Sequence, residues 1–400
     1  MSAREQLAEP QQPGSLWLRW ESCRPPGELA ATQRRATAET LFAELCRHPP
    51  ERRSRVIQKS RRFHEPALAE LLLEKSREAQ PASPERGDAF AILAAVLALQ
   101  LYEPGESSAL VAIFLGRANC LAGNARRLLG DEAEADQAFA NAVAFLGRSA
   151  ASCDRAFYSR YLGLLRWAQG RVDEAAAMLH HAARIFAENG AVHEEATSLS
   201  LLGLLHTEEG DPERAVPLLR KARFGLEPGA RPWLALRARL ALGLGLALLG
   251  QAGRARWTLR EAWELYPRVD DELELIRCHW LEGRLNTILG PTADASALLD
   301  SVRVRFVGER RLPEAALATL DLASLLAESD RREGIAPLVA ELEERFGDVD
   351  GADIALRGLR GFERRLAAGR PAEESAAGIS SYMRRTFRFR GLRFEPLTFV

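Results

Sequence analysis

The stretch Ser200–Arg223, SLLGLLHTEEGDPERAVPLLRKAR, contains the pattern that decides the fold of this 400-residue chain. Gly203 is followed after seven residues by Gly210, after twelve by Ala215 and after sixteen by Leu219. The same pattern of small and large apolar residues recurs forty residues earlier and forty residues later. A fixed period of this length is typical of stacked structural repeats.

The register extends over six units without a slip. A small residue stands in the first place of each unit: Gly123, Gly163, Gly203, Gly243, Gly283 and then Ala323. Seven residues after each comes a residue typical of turns: Gly130, Gly170, Gly210, Gly250, Gly290 and then Asp330. Each unit is therefore predicted to contain one helix, a tight turn and a second helix.

The small residues predict how the two helices of a unit meet. Gly163 falls inside the first helix, where glycine costs about 1 kcal/mol relative to alanine. We expect this cost to be offset by a close approach of the neighbouring helix, which a Cβ would obstruct. Ala175, Leu179 and Ala182 share one face of the second helix, because they lie at i, i+4 and i+7.

These residues resemble the tetratricopeptide repeat. The Leu-Gly pair, the turn glycine, and the Ala, large apolar and Ala positions match best in the units that begin at Gly163, Gly203 and Gly243. The resemblance implies an all-α fold, a right-handed α-solenoid of stacked helix-turn-helix repeats. The period of forty exceeds the family's usual thirty-four, which implies helices about a turn longer. In the wider family, such long-period arrays occur in bacterial regulators and assembly scaffolds.

The register also predicts the organisation of the chain. We expect a poorly ordered segment over 1–27, an N-terminal helical cap over 28–106 and six repeats over 107–346. A degenerate seventh repeat over 347–383 caps the array, because terminal repeats expose one face to water. The chain then ends in an extended, basic and aromatic tail over 384–400.

Composition gives a class rather than an activity. The formal net charge is −1, so the whole chain has no general attraction to nucleic acid. Five scattered cysteines without a CxxC motif favour a reducing compartment. The N-terminus lacks an apolar signal segment, and we expect a cytoplasmic protein.

Motifs for catalysis or cofactor binding are not found in the sequence. It contains neither a phosphate-binding P-loop nor an HExxH motif, and Gly243-Leu244-Gly245 lies within a repeat helix rather than after a strand. His180 and His181 point about 100° apart on a helix and do not form a metal site together. The chain is therefore expected to be non-enzymatic, with no cofactor and no metal.

The family resemblance places candidate ligand residues on the concave groove formed by the first helices. These candidates are Arg117, Asn124, Arg127, Arg160, Trp167, Arg237, Arg277, Trp280 and Arg284. Arginine binds carboxylates through paired hydrogen bonds, so a protein or peptide partner with an acidic or carboxylate end is expected. The alternative is that each arginine pairs with a neighbouring Glu or Asp. The expected function is an interaction scaffold or regulator that binds a peptide or protein segment in the groove.

Two flanking segments leave further alternatives open. The basic stretch Arg52–Arg62 could bind nucleic acid, or its charges could meet the acidic residues of Glu65–Glu78. Nucleic-acid binding through this stretch is the alternative function. In the tail, Phe387 and Phe389 alternate with arginines, which is strand periodicity. The tail could pack on the array, fill the groove or bind a partner.

Overall fold

The computed structural model of this chain is helical throughout its described part. It describes residues 28–102, 108–147, 152–226, 229, 231–290, 293–349 and 351–388. Eighteen α-helices and a few short 3₁₀ turns lie in these ranges, and none of these residues forms a β-strand. The predicted all-α fold of helix-turn-helix repeats is confirmed. No helix in the described part is both long and apolar enough to cross a membrane.

The chain divides into two compact units. The first unit extends to Leu165 and also takes in Glu188–Gly190, and the second contains Arg166–Ala187 and everything from Ala191 onward. The division falls inside the stretch for which the sequence predicts six repeats. Each unit has helices, buried apolar side chains and ion pairs of its own.

The first unit contains the N-terminal helices. They are α1 (Glu28–Cys46), α2 (Pro50–Lys59), α3 (Pro66–Ala79), α4 (Pro84–Gln100), α5 (Ser108–Leu128), α6 (Glu132–Leu146) and α7 (Ser152–Ala168), whose residues from Arg166 onward belong to the second unit. Helices α3 and α4 pack as a hairpin, α4 packs on α5, and α5 and α6 form the next hairpin.

The second unit contains the regular array. Its helices are α8 (Val172–Glu188), α9 (Val192–Glu208), α10 (Pro212–Gly225), α11 (Pro232–Leu248), α12 (Ala252–Trp263), α13 (Glu272–Leu289), α14 (Ala293–Gly308), α15 (Leu312–Glu328), α16 (Ile335–Phe346), α17 (Ala352–Ala367) and α18 (Ala372–Arg388). The odd-numbered helices from α9 to α17 are first helices of hairpins, and the even-numbered helices are second helices. Consecutive first helices α9, α11, α13 and α15 pack side by side.

Glycines in the first helices allow the second helices to approach, as predicted. A Cβ built on Gly203 would lie 2.6 Å from Cγ of Leu219, the large apolar residue of the same repeat. The corresponding distance from Gly283 to Leu299 Cδ2 is 2.7 Å. Both leucines are fully buried. In these two hairpins the first-place glycine therefore packs against the large apolar residue of its own repeat. A Cβ built on Gly243 would instead lie closest to Cδ2 of Leu285, on the next first helix, at 2.9 Å.

The turn between the two helices of a hairpin requires a left-handed residue. Gly210 has a φ of +75° between α9 and α10, and the side chain of Asp211 then caps α10 by accepting a hydrogen bond from the Arg214 backbone at 3.0 Å. Asp330, which takes the glycine place in the sixth repeat, adopts a φ of 55° without being glycine. The predicted turn column is a backbone requirement that aspartate also meets.

The end of the chain corrects one sequence expectation. Strand periodicity predicted extended backbone from residue 384, but α18 continues to Arg388. The helix is anchored by Met383, which is fully buried and faces Gly358 of α17 across a gap that leaves no room for a Cβ. Burial of one helical face therefore overrides the local alternation. The rest of the predicted tail, 389–400, and the predicted poorly ordered segment, 1–27, lie outside the described residues.

Candidate binding surface

One surface of the second unit carries most of the predicted ligand residues. It is formed by the first helices α11, α13 and α15, and we call it the ladder face. Its polar side chains are Arg237 on α11; Glu274, Arg277, Trp280 and Arg284 on α13; and Glu314 and Asp321 on α15.

Arg277 connects two consecutive first helices. Its Nη1 donates to Oε1 of Glu274, on the same helix, at 2.7 Å, and its Nη2 donates to Oε1 of Glu314, on the next first helix, at 3.2 Å. Glu274 also accepts from Nη1 of Arg237 at 3.0 Å. These contacts form a continuous chain of ion pairs across three helices. The alternative in which groove arginines pair with neighbouring acids is therefore correct for Arg237 and Arg277.

Trp280 and Arg284 share a second acceptor. The indole Nε1 of Trp280 donates to Oδ2 of Asp321 at 2.7 Å. Nε of Arg284 approaches the same oxygen only to 3.7 Å, which is outside hydrogen-bond range. A quarter of the Arg284 side chain is exposed. Arg284 is thus the most loosely held arginine of the ladder face and has donors to offer to a ligand.

The ladder contacts follow the repeat. The arginine pairs that cross helices join residues 37 apart, and the Trp280 pair joins residues 41 apart. Both separations lie within a helical turn of the forty-residue period, because equivalent residues of parallel neighbouring helices stand side by side. In four of the six units, a carboxylate lies nine residues before the small residue of the first place. These carboxylates are Asp154, Glu194, Glu274 and Glu314. Sequence analysis missed this acidic column, although the same register contains it.

The electrostatics of the ladder face favour charged carboxylates. Burial alone would raise the pKa of Glu274, but Arg237 and Arg277 outweigh burial and lower it. Burial also opposes charge on Glu314, and there Arg311 and Arg277 lower the pKa. Both carboxylates are therefore held ionised within the array. The three arginines of the ladder face balance its three carboxylates, and Arg311, which lies outside this set, adds one positive charge beside Glu314.

The first unit holds four of the predicted residues, and three of them form two separate arrangements. Arg117 makes a two-point ion pair with Asp154, with its Nε 2.8 Å from Oδ1, and Asp154 is almost completely buried. Asn124 is buried, and its Nδ2 donates to Oε1 of Gln80 at 2.6 Å, while Nη2 of Arg127 donates to Oδ1 of Asn124 at 3.0 Å. These side chains connect helices rather than project freely from a surface.

Arg160 differs from the expectation most. It was predicted to be a groove residue, but only 2% of it is exposed. Its guanidinium lies 4.8 Å from the ring centroid of Phe157 and 5.8 Å from that of Tyr161. Aromatic neighbours on the same helix cover the cation, and sequence spacing alone does not reveal such packing.

Trp167 repeats the tryptophan contact of the ladder face within the second unit. Its Nε1 donates to Oε2 of Glu208 on α9 at 3.2 Å, across 41 residues, as in the Trp280 pair. The two tryptophans occupy different places in the repeat, but each donates to a carboxylate on the next first helix.

The basic stretch forms a separate feature of the first unit. Arg52, Arg55 and Lys59 line an open depression on the surface of α2, of about 450 Å³, together with Val56 and Ser60. Within the described part of the chain, none of these three cations has an ion-pair partner. The alternative in which they meet the acids of Glu65–Glu78 does not hold for them, because Glu74 pairs with Arg35 and Glu78 with Lys75.

Comparison with known proteins agrees with the repeat geometry. A family model described as tetratricopeptide repeat matches residues 154–223. The predicted resemblance to the tetratricopeptide repeat is confirmed over these residues. A search of curated proteins found no significant match. Among the described residues, no group of three or more His, Cys, Asp or Glu side chains is arranged to hold a metal.

Several solved structures match this chain at low identity. A Rap protein complexed with Competence and Sporulation Factor is 10% identical, with a TM-score of 0.58, and the match covers 81% of this chain and 96% of that one. The apo form of RapI is 10% identical, with a TM-score of 0.50 and coverages of 80% and 98%. Aspartyl phosphate phosphatase F from Bacillus subtilis is 14% identical, with a TM-score of 0.47 and coverages of 95% and 96%.

Proposed function

We propose that this tetratricopeptide-repeat protein is a non-enzymatic interaction scaffold or regulator, and that it binds a peptide or protein segment on the ladder face. The observation that carries the proposal is the row of partly buried, mutually paired polar side chains that crosses three consecutive first helices. Ion pairs between helices hold these groups in fixed positions, and a pre-organised surface loses little entropy when a ligand binds. The Rap protein of similar fold is complexed with a factor, which supports a binding role for such an array.

The finer proposal concerns the chemistry of the ligand. The ladder face is neutral as a whole, so general electrostatic attraction does not select an acidic partner. Arg284 instead selects an acidic ligand, because the carboxylate of Asp321 lies 3.7 Å from its Nε. A ligand carboxylate can pair with this guanidinium without breaking a strong internal hydrogen bond. Trp280, directly beside it, offers an aromatic surface for an apolar side chain.

The experiment compares two arginine reversals in the full chain. Arg284→Glu changes the ladder face, and Arg260→Glu makes the same charge change on the exposed surface of the second helix α12. The probe is a short labelled peptide rich in aspartate with a free C-terminal carboxylate. An otherwise identical peptide with asparagine and an amidated end is the control ligand. Binding is measured by fluorescence anisotropy at fixed salt.

We expect Arg284→Glu to weaken binding of the acidic peptide by about tenfold or more, because one charge-assisted hydrogen bond contributes about 1.5–3 kcal/mol. Arg260→Glu should leave the affinity within twofold of the unchanged chain. Equal affinities in both variants would remove Arg284 from the site. Binding of the acidic and amidated peptides with equal strength would remove the carboxylate preference.

The cationic depression on α2 favours a second candidate function, nucleic-acid binding by the first unit. Arg52, Arg55 and Lys59 lie at i, i+3 and i+7 of α2 and therefore share one face. If each contacts one phosphate of a single strand, the logarithm of the affinity should fall with the logarithm of salt with a slope of about −2. Arg55→Glu should make that slope shallower, whereas Arg260→Glu should not. A flat salt dependence in the unchanged chain would exclude this function.

A further inference from the structure

The last helix of the chain departs from the packing of the others. The second helices α10, α12 and α14 each pack on the first helix of their own hairpin and on that of the following hairpin. Helix α18 packs on α17, its own first helix, and on α15, the first helix of the preceding hairpin. The second helix of the final hairpin is therefore placed against the preceding first helix, whereas the other second helices are placed against the following one.

The C-terminal turns of α18 reach the ladder face. The guanidinium carbon of Arg384 lies 5.9 Å from the ring centroid of Trp280, within the range of a cation–π contact. Tyr382, like Trp280, packs against the apolar core formed by α13 to α18. The tryptophan beside Arg284 is thus already in contact with a side chain from the end of the same chain.

The sequence of α18 indicates a helix of low intrinsic stability. It contains Gly378, and glycine costs about 1 kcal/mol relative to alanine inside a helix. The hydroxyl of Ser375 is buried and has no hydrogen-bond partner among the described residues. The helix is held mainly by Ile379 and Met383, which are buried against α17. Local opening of such a segment requires less free energy than unfolding of the array.

We propose that α18 is an internal competitor for the ladder face, and that a bound segment displaces its C-terminal turns from Trp280. This inference rests on the proposed function of the ladder face and adds its regulation. The apparent affinity for a ligand is then the intrinsic affinity multiplied by the fraction of molecules in which α18 is open. A partner that binds α18 itself would activate the ladder face from a distance.

A removable covalent lock tests the competition within one protein. A Cβ built on Gly358 lies 2.8 Å from Cγ of Met383, so cysteines at both positions are within bridging distance. The variant Gly358→Cys/Met383→Cys holds α18 closed when oxidised and frees it when reduced. Peptide mass mapping shows that the disulfide joins the two introduced cysteines and does not involve a natural cysteine. The ligand is the same acidic peptide used to test the proposed function.

We expect the oxidised variant to bind the acidic peptide about tenfold more weakly than its reduced form. A release variant, Met383→Ser, should bind more tightly than the unchanged chain. Hydrogen exchange of α11, α13 and α15 in this variant should stay unchanged, showing that the array remains folded. Equal affinity of the oxidised and reduced forms would overturn the competition.

The two failures are distinguishable. If Arg284→Glu weakens binding and the lock has no effect, the ladder face binds ligand and α18 does not compete for it. If Arg284→Glu has no effect, the proposed function fails. A labelled peptide of residues 372–388 then tests only the surface of the array on which α18 packs. It should bind the release variant and not the oxidised lock, and absence of binding to either would overturn the inference independently.

Discussion

Substitution of one first-helix glycine measures how much the array depends on close helix approach. In Gly203→Ala, the new methyl group would lie 2.6 Å from Cγ and 2.7 Å from Cδ2 of Leu219. Leu219 is fully buried and cannot move away without displacing its own neighbours. Overpacking of this kind costs about 1–3 kcal/mol, whereas alanine gains about 1 kcal/mol in helix propensity. We expect a net loss of up to about 2 kcal/mol.

The control is a glycine in the same unit that lacks a close neighbour. A Cβ on Gly361 of α17 would lie 4.0 Å from its nearest atom, Cδ1 of Ile379, which is ordinary contact distance. Gly361→Ala should therefore stabilise the chain by about 0.5–1 kcal/mol.

Urea unfolding followed by helical circular dichroism compares the two alanine variants. Midpoints of the same transition are the relevant quantity, because a chain with two compact units need not unfold in one step. Stabilisation by both substitutions would refute the close-packing argument. Destabilisation by both would show that glycine is needed for a reason other than space.

Three further predictions concern the buried polar contacts. Arg277→Met should lower the free energy of unfolding by about 1.5–3 kcal/mol in urea titrations at neutral pH, because Glu274 and Glu314 each lose one charge-assisted hydrogen bond while Arg237 and Arg311 remain as partners. Since folding lowers the pKa of Glu274, its contribution to stability is present above the unfolded pKa of about 4.3 and is lost as pH falls through the folded value. When the free energy of unfolding is measured against pH, Glu274→Gln should therefore lose less stability in acid than the unchanged chain. In the first unit, Gln80→Leu should cost about 1–3 kcal/mol by leaving the Asn124 amide without its acceptor, and a neutral result in the same titration would contradict that role.

The architecture could be predicted from the sequence because backbone constraints repeat. A small residue at the crossing of two helices and a left-handed residue at the turn recur from unit to unit, so the register is visible in a single chain. Gly203 and Gly210 each meet a requirement that the structure shows directly. Sequence reasoning failed where a requirement occurs only once, as at the end of α18, where burial of Met383 extends a helix through residues with strand periodicity.

The candidate surface could be predicted only in part. The repeat register identified Arg237 and Arg277, but not the carboxylates that hold them, since partners in neighbouring repeats are far apart in the chain. Arg160 shows the converse limit, because its aromatic neighbours bury it at a position where the family geometry implies exposure. Exposure depends on the volume of the surrounding side chains, and spacing does not contain that information.

The most direct test of the ladder face is hydrogen exchange of the full chain with and without the bound acidic peptide. We predict added protection in α13 and α15, together with faster exchange in the C-terminal turns of α18. Protection confined to the second helices α12 and α14, with α18 unchanged, would contradict the assignment of the binding surface to the first helices.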